Sequence, residues 1–143
     1  MRYLGLDLGS KTLGLSLSDF TNTIASNYDI IRYENEDYLI LIDKLKKIIK
    51  DNEVGCLVLG FPKNMNNTIG SRALISIEFK KMLENAFNIE VILEDERLTS
   101  KISNDVLIKA DVSRKKRKKV VDKMAATIIL QGYLDKINKR KED

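Results

Sequence analysis

Two short runs of alternating apolar and polar residues open the chain, one over residues 3–8 and one over residues 13–18. The segment between them, GSKT at 9–12, is typical of a tight turn, so the pattern predicts a β-hairpin. The leucines of the first run share one face of its strand, and Asp7 therefore lies on the other face. A carboxylate is costly to bury alone in so apolar a strand, which makes Asp7 a candidate cation ligand. The alternative is that Asp7 caps the strand end and forms a salt bridge with Lys11.

The middle of the chain predicts a third strand and then two helices separated by a fourth strand. Residues 24–32 can supply the third strand, and apolar residues at helical spacing predict a helix over 38–50. The continuous apolar run Val54–Phe61 predicts a strand that is buried on both faces. A second helix follows and reaches about residue 87. Its side chains expected to face inward include Ala73, Leu74 and Ile77.

The carboxyl-terminal part of the chain predicts a fifth strand over 89–94, and Asp95 and Glu96 follow that strand directly. Thr99 or Ser100 can cap a helix that reaches about residue 109. The last helix is predicted over about residues 119–139. Asp122 stands on its core-facing stripe, with Ala126 one turn later, although a first-turn Asp that the helix dipole stabilises is the alternative.

Two segments are candidates for binding phosphate. The first is a run of six cations, hereafter the basic block, made of Arg114, Lys115, Lys116, Arg117, Lys118 and Lys119. Such a block repels itself, tends to stay mobile and commonly meets phosphate, but many runs of charge are only solvated. The second is the loop at 60–72, where loop amides, a helix N-terminus and Arg72 come together. An ordinary surface loop is the alternative there.

This order of elements predicts an α/β fold with a five-stranded mixed sheet and helices on both faces. The first three strands should be antiparallel and the last two parallel. A chain of 143 residues is long enough for one domain with a substantial core, so we expect a single domain over 1–143.

Composition narrows the possible chemistry. The chain has no histidine, which excludes Ser-His-Asp and Cys-His catalysis and any histidine metal ligand. Cys56 is the only cysteine, so an internal disulfide and a multi-cysteine zinc site are excluded as well. No apolar run approaches the roughly 20 residues of a membrane span, and we expect a cytoplasmic protein without a membrane partner. The net charge of +4 favours an anionic partner only slightly.

Three carboxylates can converge in the predicted sheet. Asp7 stands on the first strand, Glu96 at the end of the last strand and Asp122 on the last helix. Carboxylate ligands select hard cations such as Mg²⁺ or Mn²⁺. Three of them could hold two such cations about 4 Å apart across a phosphodiester, and that chemistry needs no histidine.

Five ordered motifs in this sequence resemble those of the YqgF/RuvX family. They are DLGSKTLG at 7–14, LSD at 17–19, GFPKNM at 60–65, DERLT at 95–99 and VDKMAATIIL at 121–130. One departure is Asn66-Asn67-Thr68, because the family usually has Asp/Asn-Gly-Thr there. Asn67 must then adopt the turn geometry of a glycine, for which Asn is the best substitute.

The resemblance implies an RNase H-like fold related to the RuvC resolvase, and a metal-dependent nuclease that matures the 5′ end of pre-16S rRNA. It also implies that Asp7, Glu96 and Asp122 occupy the catalytic and metal-binding positions, with Asp95 as the alternative to Glu96. The implied cofactor is Mg²⁺ or Mn²⁺, and we expect a monomer or a weak homodimer. Lys11 and Arg97 would neutralise phosphate or position a carboxylate. Arg72 and the basic block would hold the nucleic-acid backbone.

Three other functions stay open on the sequence alone. A Holliday-junction resolvase acting on branched DNA would use the same carboxylates. A non-catalytic nucleic-acid-binding or ribosome-assembly module would keep the fold without turnover. A nucleotide-binding domain is the third, because residues 7–12 also resemble the phosphate loop of actin-like sugar kinases and chaperones. Those proteins need two lobes to enclose ATP, and 143 residues supply roughly one.

Overall fold

A computed structural model of the chain describes residues 1–62, 70–95 and 114–142, and within them the side chains of 1–62, 70–95 and 124–139. The predicted helix between residues 99 and 109 and the Asn67 turn lie outside the described residues. In chain order the elements are β1 Arg2–Leu8, β2 Thr12–Ser18, β3 Ala25–Arg32, α1 Tyr38–Asp51, β4 Val54–Phe61, α2 Ser71–Phe87, β5 Glu90–Asp95 and α3 Arg114–Glu142.

The five strands form one mixed sheet in the order β3-β2-β1-β4-β5, which confirms the predicted fold class. β1 pairs antiparallel with β2 and β2 antiparallel with β3, whereas β4 lies parallel to both β1 and β5. β1 is therefore the central strand. β4 has neighbours on both sides and helices over both faces, which explains why its sequence is a continuous apolar run.

α1 and α2 cover the face of the sheet that the leucines of β1 share. The fully buried side chains of this layer include Leu4, Leu6, Leu41, Leu45, Leu57, Leu59, Phe79 and Leu83. α1 begins after Asp37, whose carboxylate accepts a hydrogen bond from the backbone N–H of Ile40 at 3.3 Å and so caps the helix. The predicted helix is confirmed.

The inward face of α2 differs from the prediction at Leu74, while Ile77 is half-buried. Leu74 was expected to face the core, but its side chain is 56% exposed, and the small polar Ser76 is buried instead. Ala73, Ser76, Phe79 and Leu83 line the buried face of the helix. Ser76 fits there because its hydroxyl donates to the carbonyl oxygen of Arg72, one turn earlier, at 3.3 Å. Hydrophobicity alone therefore assigned Leu74 to the wrong face.

α3 covers the opposite face of the sheet and starts earlier than predicted. Ile129, Leu130 and Leu134 pack with Val58 of β4 in a second, smaller core. The helix begins at Arg114, so the backbone of the basic block is helical and does not precede the helix as a separate mobile segment. The physical reason is that Lys and Arg are good helix formers, and a helix anchored by packing extends at little cost per residue.

Close packing at Gly5 sets how near α3 lies to the sheet. A Cβ on Gly5 would stand 2.2 Å from Ser16 Oγ, 2.8 Å from Leu130 Cβ and 2.9 Å from the carbonyl oxygen of Ala126. The hydroxyl of Ser16 fills part of this space and donates a hydrogen bond to that same Ala126 oxygen at 2.7 Å. The helix backbone thus touches the sheet only because β1 has no side chain there.

Cys56 is buried in β4, as its apolar neighbours predicted. Burial, assisted by the negative charge of Glu90, raises the pKa of its thiol to about 12. The thiolate is therefore suppressed at neutral pH, and Cys56 behaves as a small apolar side chain. Within the described parts of the chain, no helix is long and apolar enough to cross a membrane.

We predict that Gly5→Ala lowers the free energy of unfolding by about 1–3 kcal/mol, because the added methyl group must push α3 away from β1. Thermal unfolding of the purified variant would measure the loss. Gly132→Ala is the matched control, since no atom of the described residues lies within 4 Å of a Cβ placed on Gly132. In the interior of α3 this control change should raise stability by about 0.5–1 kcal/mol. A Gly5→Ala variant as stable as the wild type would contradict the packing described here.

Candidate functional site

Asp7 lies half-buried on the α3 face of β1, beside small residues. Its partner across the hairpin is Gly14 on β2. A Cβ built on Gly14 would be 3.7 Å from the Cβ of Asp7 and 3.6 Å from the Cβ of Ala126 on α3. Asp7 therefore lies between the sheet and α3, beside two described residues that have little side-chain bulk.

The direction of α3 shows where Asp122, one helical turn before Ala126, lies relative to β1. Leu130 and Ala126 both lie close to Gly5, and of these two residues Ala126 is also close to Gly14, the partner of Asp7. Residues that precede Ala126 in α3 therefore lie nearer to the carboxyl end of β1. Asp122 precedes Ala126 by four residues, about 6 Å along the helix axis. The backbone of Asp122 therefore lies toward the carboxyl end of β1. Its side chain is outside the described set, so its convergence on Asp7 stays a prediction.

The end of β5 shows which face each of its acidic residues occupies. Glu94 pairs with Gly60 and Asp95 with Phe61 of β4. Glu94 is only 7% exposed and forms an ion pair with Lys136 of α3, so it lies on the α3 face. Alternation then places Asp95 on the other face, away from the side that Asp7 occupies. Glu96 and Arg97 lie outside the described residues.

The Glu94–Lys136 pair is a feature that sequence reasoning did not identify. Glu94, Asp95 and Glu96 are consecutive acidic residues at a strand end, and such a run is costly unless its charge is compensated. Helical spacing could not show which cation of α3 supplies it, because Lys136 is 42 residues from Glu94 in sequence.

Lys11 and Arg72 are both near the carboxyl end of β1. Lys11 is exposed at the tip of the hairpin. Arg72, in the first turn of α2, donates from its guanidinium to the carbonyl oxygen of Leu8 at 2.8 Å. Arg72 thus has a structural contact one residue past Asp7, in addition to any contact that it makes with a ligand.

The described side chains do not by themselves form a complete metal centre. Among those residues, no three Asp, Glu, Cys or His side chains come close enough together to hold a metal ion. Of the three predicted ligands, Asp7 is the one whose side chain is described, and the basic block is placed as helical backbone only.

Asp19, the last residue of the second family motif, has a structural role. Its carboxylate accepts hydrogen bonds from the backbone N–H groups of Thr23 and Ile24, at 2.8 and 3.2 Å, and from the Thr21 hydroxyl at 2.8 Å. These hydrogen bonds, that from Thr23 foremost, lower the pKa of the carboxyl group. Asp19 therefore shapes the turn between β2 and β3, at the opposite end of β1 from Asp7.

Solved structures of junction-resolving enzymes have the same fold. RuvC of Thermus thermophilus matches with a TM-score of 0.56 and 11% identity, covering 94% of each chain. The fowlpox virus Holliday junction resolvase matches with a TM-score of 0.55 and 17% identity, covering 95% of this chain and 99% of that one. The expectation of an RNase H-like fold related to RuvC is confirmed.

Sequence comparisons identify much nearer relatives. The Bacillus subtilis protein named "Putative pre-16S rRNA nuclease" is 51% identical over 138 residues, covering 96% of this chain and 100% of that protein. A Geobacillus protein of the same name is 52% identical over 135 residues, covering 94% and 98%. The model of the family described as "RuvX: Holliday junction resolvase" matches residues 1–136. The chain therefore belongs to the RuvX family.

Proposed function

We propose that this chain is a metal-dependent nuclease that hydrolyses phosphodiester bonds of structured nucleic acid, and that it processes the 5′ end of pre-16S rRNA in the cytoplasm. The observation that carries the proposal is the half-buried Asp7, held on the central strand beside Ala126 of α3. Membership of the RuvX family and relatives at about 50% identity named as pre-16S rRNA nucleases support it. Residues 1–143 would act as a single domain, as a monomer or a weak homodimer.

Mg²⁺ or Mn²⁺ fits the donor groups that the chain offers. Asp7 supplies a carboxylate beside the small residues Gly14 and Ala126, and a chain without histidine offers oxygen ligands, which hard cations prefer. Asp7, Glu96 and Asp122 would hold the metal. When bound, it would polarise the phosphodiester and lower the pKa of an attacking water.

The remaining steps belong to the chain's own residues. The packing of α3 on β1 would fix the orientation of Asp7 and limit the water around it. Lys11, exposed at the hairpin tip, would neutralise a phosphate, as would Arg97. The guanidinium of Arg72 has five N–H donors, so its bond to Leu8 leaves others for the nucleic-acid backbone. The basic block, on the part of α3 that precedes Asp122, would extend this contact along the substrate.

A junction resolvase is the second candidate, because the matching family is described as one. One comparison separates the two: cleavage of a precursor 16S rRNA fragment and of a four-way DNA junction by the purified protein, with the ends of 16S precursors measured in cells depleted of it. We expect cleavage of the RNA and accumulation of unprocessed 5′ ends. Preferential cleavage of the junction with normal rRNA ends would favour the resolvase. Binding without cleavage of either would favour a ribosome-assembly module.

Asp7→Asn should abolish metal-dependent cleavage and leave the fold intact. At the proposed site Glu96 and Asp122 would repel the Asp7 carboxylate when no metal is bound, so the melting temperature of the variant in EDTA should stay the same or rise. Asp43→Asn is the control, since Asp43 is exposed on α1, across the sheet from α3. An Asp7→Asn enzyme with full Mg²⁺-dependent activity would refute the assignment of Asp7.

Glu96→Gln should reduce the cleavage rate by orders of magnitude, and Asp95→Asn far less. The reason is that Asp95 shares its strand face with Leu93, opposite to the face of Asp7. Single-turnover rates of the two variants on the same substrate would rank them. The reverse order would place Asp95 at the site and require a bulge at the end of β5.

Replacing Lys115, Lys116, Lys118 and Lys119 with Gln should weaken binding to all nucleic-acid sequences alike. The log–log salt dependence of affinity should flatten by up to about three units, since each phosphate contact contributes about 0.7–0.9. The control removes four exposed lysines from α1, namely Lys44, Lys46, Lys47 and Lys50. The α1 variant should keep the wild-type slope. If the wild type and both variants show the same salt dependence of affinity, the basic block is a solvated segment that does not contact phosphate.

A further inference from the structure

The hairpin tip that follows Asp7 is held by groups outside the hairpin. The hydroxyl of Tyr33 donates a hydrogen bond to the carbonyl oxygen of Gly9. The backbone N–H of the same tyrosine donates to the carbonyl oxygen of Lys11 at 3.0 Å. One residue, just past the end of β3, thus holds two carbonyl groups of the tip.

The turn itself and α2 add two further hydrogen bonds to this segment. Within the turn, the Gly9 N–H donates to the carbonyl oxygen of Thr12 at 2.8 Å. From α2, the guanidinium of Arg72 binds the carbonyl of Leu8, between Asp7 and Gly9. The backbone on both sides of the Gly9 carbonyl is therefore fixed, and Asp7 and Lys11 stand two residues before and two residues after it.

Tyr33 is itself held rigidly. Its side chain is 5% exposed, and its ring lies 5.7 Å from the ring of Tyr38, which lies 5.9 Å from that of Phe79. This aromatic row joins the end of β3 to α1 and α2. Burial, with a contribution from Tyr38, raises the pKa of Tyr33. The hydroxyl therefore keeps its proton at neutral pH and remains a hydrogen-bond donor.

We propose that Tyr33 is a positioning residue for the nuclease reaction: its hydroxyl, through the carbonyl of Gly9, fixes the hairpin tip and thereby aligns Asp7 and Lys11. This inference rests on the proposed function, and it adds a residue that none of the family motifs contains. Tyr33 does not touch the reacting atoms. The hydrogen bond from the Tyr33 N–H to the Lys11 carbonyl continues the pairing of β2 with β3. The hydrogen bond from the Tyr33 hydroxyl to the Gly9 carbonyl lies outside that pairing, and its role is to hold the tip.

Tyr33→Phe tests this role, because it keeps the ring and its packing and removes only the hydroxyl group. Tyr28→Phe is the matched control: Tyr28 lies on β3, is 43% exposed, and its hydroxyl accepts a hydrogen bond from Asn52 at 3.2 Å. For Tyr33→Phe we expect kcat to fall about 10- to 100-fold, since small misplacements of a catalytic group have effects of that size. KM should change little and the half-saturating Mg²⁺ concentration should rise. Tyr28→Phe should match the wild type.

Amide hydrogen exchange measured without metal or substrate gives a readout that is independent of cleavage. The N–H of Gly9 should exchange faster in Tyr33→Phe than in the wild type and in Tyr28→Phe. Unchanged exchange at Gly9 would overturn the idea that the hydroxyl orders the tip, whether or not the protein is a nuclease.

The kinetic outcomes separate the two proposals. A wild-type protein that cleaves neither RNA nor DNA with Mg²⁺ or Mn²⁺ would overturn the proposed function, and the exchange of Gly9 would still decide whether Tyr33 holds the tip. If the wild type cleaves and Tyr33→Phe keeps its kcat, the positioning role is wrong. A lower kcat that is matched by an equally smaller folded fraction, with an unchanged half-saturating Mg²⁺ concentration, would overturn that role as well.

Discussion

The direct contact between the backbone of α3 and the sheet at Gly5 is the constraint on which the candidate site depends. Gly5 and Asp7 share a face of the central strand, so the distance that Gly5 allows also sets the space above Asp7. The hydrogen bond from Ser16 to the Ala126 carbonyl fixes α3 at that point. Because a helix is stiff over one turn, the position of Asp122 follows from that of Ala126. A site of carboxylates contributed by a strand and a helix needs this kind of rigid contact beneath it.

The backbone that follows Asp7 is held by a different set of contacts. Leu8, Gly9 and Lys11 follow Asp7, and their carbonyl groups accept hydrogen bonds from Arg72 and Tyr33. Asp7 is therefore constrained from the α3 side by packing and from the α1 and α2 side by hydrogen bonds. This division suits the proposed chemistry, since like-charged carboxylates repel one another and must be held in place by their surroundings.

The fold was predictable because its signals are local and strong. Alternation in β1 and β2, the continuous apolar run of β4 and the helical spacing in α1 each identify an element without knowledge of its neighbours. The two errors have a common origin. Leu74 is exposed and the basic block is helical, and in both cases hydrophobicity or charge was given more weight than local helix geometry and propensity.

From the sequence came the order of the described elements, the face of β1 that Asp7 occupies, the exclusion of histidine chemistry and the resemblance to the RuvX family. Only the tertiary structure showed that Gly5 admits the backbone of α3, that Lys136 neutralises Glu94 and that Tyr33 holds the hairpin tip. The reason is physical. Periodicity reports which face a residue occupies within its own element, whereas Ser16 and Ala126 are 110 residues apart and Tyr33 and Gly9 are 24 apart. Contacts at such separations arise only when the packed elements bring their side chains together.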